Sequence, residues 1–307
     1  MLKFILKRIL QMIPILFVVT IVVFLFVHMI PGNPARIVAG ADADQATVEM
    51  IEKKLGLDKP IVEQYFVYIG NLAKGDLGTS LKTNEPVLQE MKSRFMPTFW
   101  LTVWSMLFAV IVGVGIGILS AMKRNSFWDY LGMFGAVVGI SIPSFWLGLL
   151  LMQWFSVKLG WFPTTGLDSW QGYVLPSITL GVGVAAIIAR FTRSALIDVL
   201  KEDYIRTGRA KGFSESKIMI RQALKNAMVP VVTMTGLQFG FLLGGSVVIE
   251  TVFGFPGLGS WLIDAVATRD YPVIQAEILL FSLEFLLINL LVDVIYGFLN
   301  PQIRYDD

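Results

Sequence analysis

The chain has 307 residues, 55% of them hydrophobic and only 16% charged, with a mean hydropathy of +0.68. That balance excludes an ordinary soluble globular domain, and a net charge of +2 needs no nucleic-acid surface to explain it. The absence of cysteine excludes disulfides and thiolate metal sites while leaving the redox environment open.

An apolar run of about 20 residues is needed to cross a hydrocarbon core of roughly 30 Å. Six such runs occur, at 9–30, 99–122, 130–157, 175–197, 227–249 and 275–299, which predicts an all-α membrane protein with six transmembrane helices. The first follows Lys3, Lys7 and Arg8 as a signal peptide would. Its apolar core exceeds the usual length of roughly 7–15 residues and no A-x-A-like site follows, so it is expected to remain as an anchor. Residues 31–97 form the one sizeable non-membrane region, with nine acidic and eight basic residues. Helix-like spacing at 48–55 and 61–72 predicts a small outer segment that faces the bundle through Ile61, Tyr65 and Ile69. The expected organisation is thus a tail and first helix at 1–30, a periplasmic segment at 31–97, and a five-helix core at 98–307 carrying a cytosolic loop at 199–226.

Six spans put both termini on one side, and Lys/Arg counts choose it. Placing the N-terminus inside puts 15 of the 25 basic residues there, among them Lys123, Arg124 and Arg304, and leaves only Lys158 and Arg269 in short outer loops. The other eight lie in 31–97, a segment long enough to cross regardless of charge. Both termini are expected in the cytosol.

Within the spans, Gly113 and Gly117, Gly135 and Gly139, and Gly236, Gly240 and Gly244 recur every four residues. Small residues at that spacing let helix backbones approach in lipid, which predicts packing within the bundle or against another subunit. Pro14, Pro143, Pro176 and Pro230 fall within or at the ends of spans, where they kink helices.

A polar, basic loop separates the fourth and fifth runs. It carries seven basic residues from Lys201 to Lys225 against Glu202, Asp203 and Glu215. Two short helices, at 203–211 and 214–225, are expected around Gly212, which can take the left-handed conformation that ends the first. Such a surface helix pair gives a soluble partner something to grip. It can equally bind anionic lipid heads through its Lys and Arg, and composition alone does not choose.

A chain that hydrolyses ATP itself would carry a G-x-x-x-x-G-K-[ST] loop, yet no Gly-Lys dipeptide occurs. Leu242-Leu243-Gly244-Gly245-Ser246 resembles part of an ATPase signature but sits inside an apolar span, where packing explains it. With His28 as the lone histidine, zinc or Ser-His chemistry has little to work with. Neither catalytic residue, cofactor site nor metal site is expected. Glu277 and Glu284 stand seven residues apart on one face of the last run, with Asp293 opposite. Intramembrane carboxylates line a pathway or pair structurally, here with Arg190 or Arg193. A stand-alone secondary transporter would show inverted repeats, and none is evident.

At the cytosolic loop the chain resembles the permease subunits of bacterial ATP-binding-cassette importers of the dipeptide, oligopeptide and glutathione group. The resemblance rests on Glu202-Asp203-Tyr204, Arg206-Thr207, Arg209-Ala210-Lys211-Gly212, Ala223-Leu224, Asn226-Ala227 and Pro230. The Glu-Ala-Ala of the general importer loop is absent, and Gly208 replaces an alanine usual in the peptide branch. Further matches are Val27-His28-Met29-Ile30-Pro31-Gly32-Asn33-Pro34, Leu55-Gly56-Leu57-Asp58, Gly75-Asp76-Leu77-Gly78, Glu250-Thr251-Val252-Phe253, Pro256-Gly257-Leu258-Gly259 and Arg269-Asp270-Tyr271-Pro272. The stretch from Gln275 to Phe285, with the short 162–175 loop, looks most like the glutathione-import branch. The resemblance implies a type I importer permease fold with half of a pathway for glutathione or, alternatively, a dipeptide. It also implies an ATPase-coupling loop at Arg206, Arg209, Ala210, Lys211, Gly212 and Glu215. The implied partners are a homologous second permease, two cytosolic ATPase subunits that use ATP and magnesium, an outer substrate-binding protein and membrane lipid. The implied location is the bacterial inner membrane.

Overall fold

The computed structural model describes residues 2–29, 33–40, 43–167 and 169–299. Arg304 and the Ile30-Pro31-Gly32 part of the first matching motif lie outside them. Among the described residues the chain is helical, with one isolated bridge between Thr79 and Pro86. In chain order come α1 (Leu2–Met29), α2 (Pro34–Ala39), α3 (Gln45–Leu55), α4 (Ile61–Ala73), α5 (Val87–Met122), α6 (Phe127–Ser141) and α7 (Ser144–Leu151), the last extended by a π-helical Met152–Lys158. After a 3-10 turn at Trp170–Tyr173 follow α8 (Val174–Val199), α9 (Asp203–Ala210), α10 (Glu215–Ile218), a π-helical Met219–Ala223, α11 (Leu224–Val252), α12 (Leu258–Thr268) and α13 (Tyr271–Leu299).

Among the described residues five helices are long and apolar enough to cross a bilayer, and α6 with α7 and its π-helical extension forms an apolar pair bent by 103°, a sixth span if the two halves cross together. The apolar run 130–157 therefore hides a break. Ile142 precedes Pro143 and is driven to an extended backbone (ψ 124°), because the proline ring disfavours a helical residue before it. α6 closes with the Ile142 amide on the Val138 carbonyl, and α7 restarts with Leu147 donating to Pro143. Pro14 and Pro230 lie inside α1 and α11, where the helix continues past them.

The chain forms two compact units. One comprises residues 99–255 with 1–6 and 287–307, and is organised around α8. Small residues set its spacing: a methyl group on Gly113 would lie 2.6 Å from the Ala185 carbonyl oxygen, and one on Gly117 would lie 2.7 Å from that of Ala189. α5 and α8 thus run in backbone contact, as the four-residue glycine spacing predicts. Gly139 meets Val182 of α8, and Gly236 is covered by Val292 of α13. Gly135 and Gly244 face open space instead. Leu101, Ile188, Val231, Leu242, Ile249 and Phe255 fill the core between these helices. A smaller cluster, built on Ala121, Leu196, Ile205, Ile218, Met219, Ala223 and Ala227, seals the end that carries the loop.

The second unit comprises residues 7–98 and 256–286. The outer segment does not pack by itself. α4 lies on α1 through the Thr20–Tyr65 hydroxyl pair at 2.9 Å and the stacked Phe24 and Tyr68 rings, while His28 Nε2 meets Gln64 Oε1 at 3.1 Å. Tyr65 faces α1 as its spacing predicts, but Ile61 is 46% exposed, because Gln64 and Tyr68 occupy the facing stripe. Asp270, 3% exposed, accepts from the Ser80 hydroxyl and the Leu81 and Lys82 amides, locking the 78–86 turn to the α12–α13 corner. Val87, Met91, Leu258, Trp261 and Ile274 form the apolar core beneath it.

Candidate functional site

The polar, basic loop of the sequence folds into an elbow built by Gly212. α9 ends when Gly212 takes φ +76°, a left-handed conformation in which an L side chain costs roughly 1–2 kcal/mol. The Phe213 amide then reaches back to the Gly208 carbonyl (3.2 Å) and the Gly212 amide to that of Arg209 (2.9 Å). This Schellman pair satisfies carbonyls that the helix end would leave open. A side chain on Gly212 would meet nothing within 4 Å, so conformation alone demands the glycine.

Across the turn Arg209 grips Glu215 with two bonds, at 2.8 and 3.2 Å. Both side chains are largely exposed, so solvent screens the pair and it adds little to stability. Apolar packing does more. Ile205, Ile218 and Met219 are buried against Leu196 and Ala121, and each such side chain contributes roughly 1.5–3 kcal/mol. The elbow is therefore held to the C-terminal ends of α5 and α8 as part of their unit. A methyl on Gly208 would fall 2.7 Å from Gln222 Oε1, the flexible end of a side chain, so the alanine usual at this place needs only a small shift.

The second loop helix is not separate. α10 passes without a break through the π-helical Met219–Ala223 into α11, where a discrete 214–225 helix is expected from the sequence. Continuous backbone hydrogen bonding links the elbow to the fifth span, so a displacement at Gly212 has a stiff path into the membrane. Arg206, Ala210 and Lys211 face solvent beside Arg209 and Glu215, with Arg206 paired to Asp203 at 3.4 Å. All six residues of the expected coupling set thus converge on one exposed elbow.

Arg193 Nε and Nη2 donate to Asp129 of α6, at 2.6 and 2.8 Å, and Asp129 also accepts from the Asn125 amide. Arg190, one turn earlier on α8, is exposed. Glu277 is fully buried and Glu284 half-buried on α13. Asp129 is 2% exposed and escapes sequence reading because the apolar run begins one residue later. The usable signal is its position one residue before an apolar run, with Arg193 four residues from the end of another.

Residues 113–305 match the family described as binding-protein-dependent transport system inner membrane component, and residues 1–102 match its N-terminal part. Curated relatives named glutathione transport system permease protein GsiC are similar over 305 residues, 99% of this chain and 100% of theirs: at 60% identity in Escherichia coli O6:H1, 59% in Escherichia coli strain K12 and 60% in Pectobacterium atrosepticum. Two solved structures described as inward facing conformations of the MetNI methionine ABC transporter superpose with TM-scores of 0.58 and 0.61 at 20% and 21% identity. They cover 69% and 70% of this chain, and 97% and 99% of those chains. At that identity the likeness is one of fold. The chain belongs to the family of binding-protein-dependent transport system inner membrane components and is a multi-pass permease subunit of an ATP-binding-cassette importer.

Proposed function

We propose that this permease forms half of the pathway for glutathione, or alternatively a dipeptide, and that it takes its motive force from separate ATPase subunits docked on the Gly212 elbow. The observation that carries the coupling is the elbow itself: an exposed turn packed on α5 and α8 and continuous with α11. The cargo follows from the names of relatives near 60% identity end to end. A homologous second permease completes the path, and an outer binding protein delivers the cargo. ATP and magnesium act in the ATPases, with no cofactor on this chain. Both termini lie in the cytosol, with 31–97 outside.

Arg206, Arg209, Ala210, Lys211, Gly212 and Glu215 form the docking face. Glu277, Glu284 and Arg190 are the intramembrane charges assigned to the pathway or to structure. Reconstituting the assembled importer with its binding protein in proteoliposomes and measuring ATP-dependent uptake of radiolabelled glutathione against dipeptides tests the reading. Uptake of glutathione in preference to dipeptides supports the cargo, and uptake without ATP or without the ATPase subunits contradicts the coupling.

A further inference from the structure

Of the seven basic side chains between Lys201 and Lys225, four are already engaged: Lys201 by Asp198, Arg206 by Asp203, Arg209 by Glu215, and Lys217 by the Phe213 ring at 4.2 Å. The other three, Lys211, Arg221 and Lys225, have no acid partner among the described residues, and all three line one cleft of about 480 Å3 between α9 and the start of α11. No carboxylate lines it. Its polar walls include Tyr204, Gln222 and Asn226, with Asn226 Nδ2 donating to Tyr204 Oη at 2.7 Å. Three uncompensated cations in one concavity focus a single-sign field and favour an anionic occupant.

Position selects the kind of anion. Lys225 and Asn226 immediately precede the apolar run that starts at Ala227, so the cleft opens at headgroup depth. Ile220 beside Arg221 is 65% exposed. At the same end of this unit α6 begins with exposed Phe127, Trp128 and Tyr130, and its first turn is tied to the end of α8 by the Asp129–Arg193 pair. An aromatic belt of this kind marks a membrane–water boundary. We propose that the cleft binds the phosphate of an anionic phospholipid, with Arg221 and Lys225 on the phosphate and Lys211 reaching it from the elbow. The proposal relies on the elbow facing the cytosolic leaflet, as in the reading above, and not on the cargo.

The test uses the assembled importer, taken from bilayers of equal parts phosphatidylglycerol and phosphatidylcholine, with retained lipid measured by native mass spectrometry. Each basic side chain near an anionic surface is worth about fivefold in affinity, so Arg221→Gln with Lys225→Gln is expected to lower phosphatidylglycerol retention about 25-fold. ATPase chains should remain in the same spectrum. Should the double variant fail to assemble, Lys225→Gln alone is expected to show the fivefold loss, while Lys201→Gln, a cation engaged by Asp198 and outside the docking face, leaves retention unchanged. Undiminished phosphatidylglycerol in both cleft variants overturns the proposal, including the case where ATPase is lost instead and the cleft proves to be a protein contact. Displacement of the lipid by millimolar inorganic phosphate overturns the lipid assignment in favour of a soluble anion.

Discussion

Replacing Gly212 separates a conformational demand from a steric one. Its φ of +76° strains any L residue, while its side-chain direction is open within the chain. The left-handed conformation costs roughly 1–2 kcal/mol for alanine, less for asparagine and more for a β-branched residue. At 1.4 kcal/mol per factor of ten, Gly212→Ala shifts the turn about 5- to 30-fold toward other conformers. Apolar packing of Ile205, Ile218 and Met219, worth roughly 5–9 kcal/mol together, keeps the elbow attached, so the variants assemble. The expected order of ATP-driven uptake is glycine, asparagine, alanine, valine. A clash with a docked partner would instead rank the variants by volume, placing asparagine below alanine. Proteoliposome uptake, normalised to ATPase retained on the complex, distinguishes the two, and a volume ranking refutes the conformational account.

Asp129→Ala leaves the partly buried Arg193 without its partner and is expected to cost about 2–4 kcal/mol, read as a lower thermal midpoint of detergent-solubilised protein. Adding Arg193→Ala should recover more than half of that loss. Asp270→Ala removes the acceptor from the Ser80 hydroxyl and two amides, at about 2–3 kcal/mol, and is expected to open the 78–86 turn to proteolysis while ATPase chains stay bound. Glu284→Gln is expected to reduce uptake with assembly unchanged if the carboxylate lines the pathway. Intact uptake and intact stability together would remove it from the pathway.

Run length made five of the six spans legible, because crossing lipid imposes a length that soluble helices do not share. Gly212 was legible too, since a lone glycine between two amphipathic stretches has few other uses. The bend at Ile142–Pro143 was not, because both halves of the run are apolar and composition carries no angle. The merger of α10 with α11 was not legible, because the polar Lys217, Arg221 and Lys225 set a 214–225 helix apart from the apolar run that starts at Ala227, although the backbone stays helical through all of them. The Asp129–Arg193 pair was not legible, because Asp129 lies one residue outside an apolar run while Arg193 lies inside another. Pairing between distant segments is set by packing, which spacing within one segment does not encode.

The chain has no cysteine, so Ala210→Cys, exposed on the elbow, supplies a single thiol. Labelling it with a membrane-impermeant maleimide in right-side-out and inverted vesicles, with and without ATPase subunits, tests the coupling claim most directly. The account predicts labelling only in inverted vesicles and protection when the ATPase subunits are bound. Labelling from the periplasmic face, or equal labelling in the assembled complex, would contradict it.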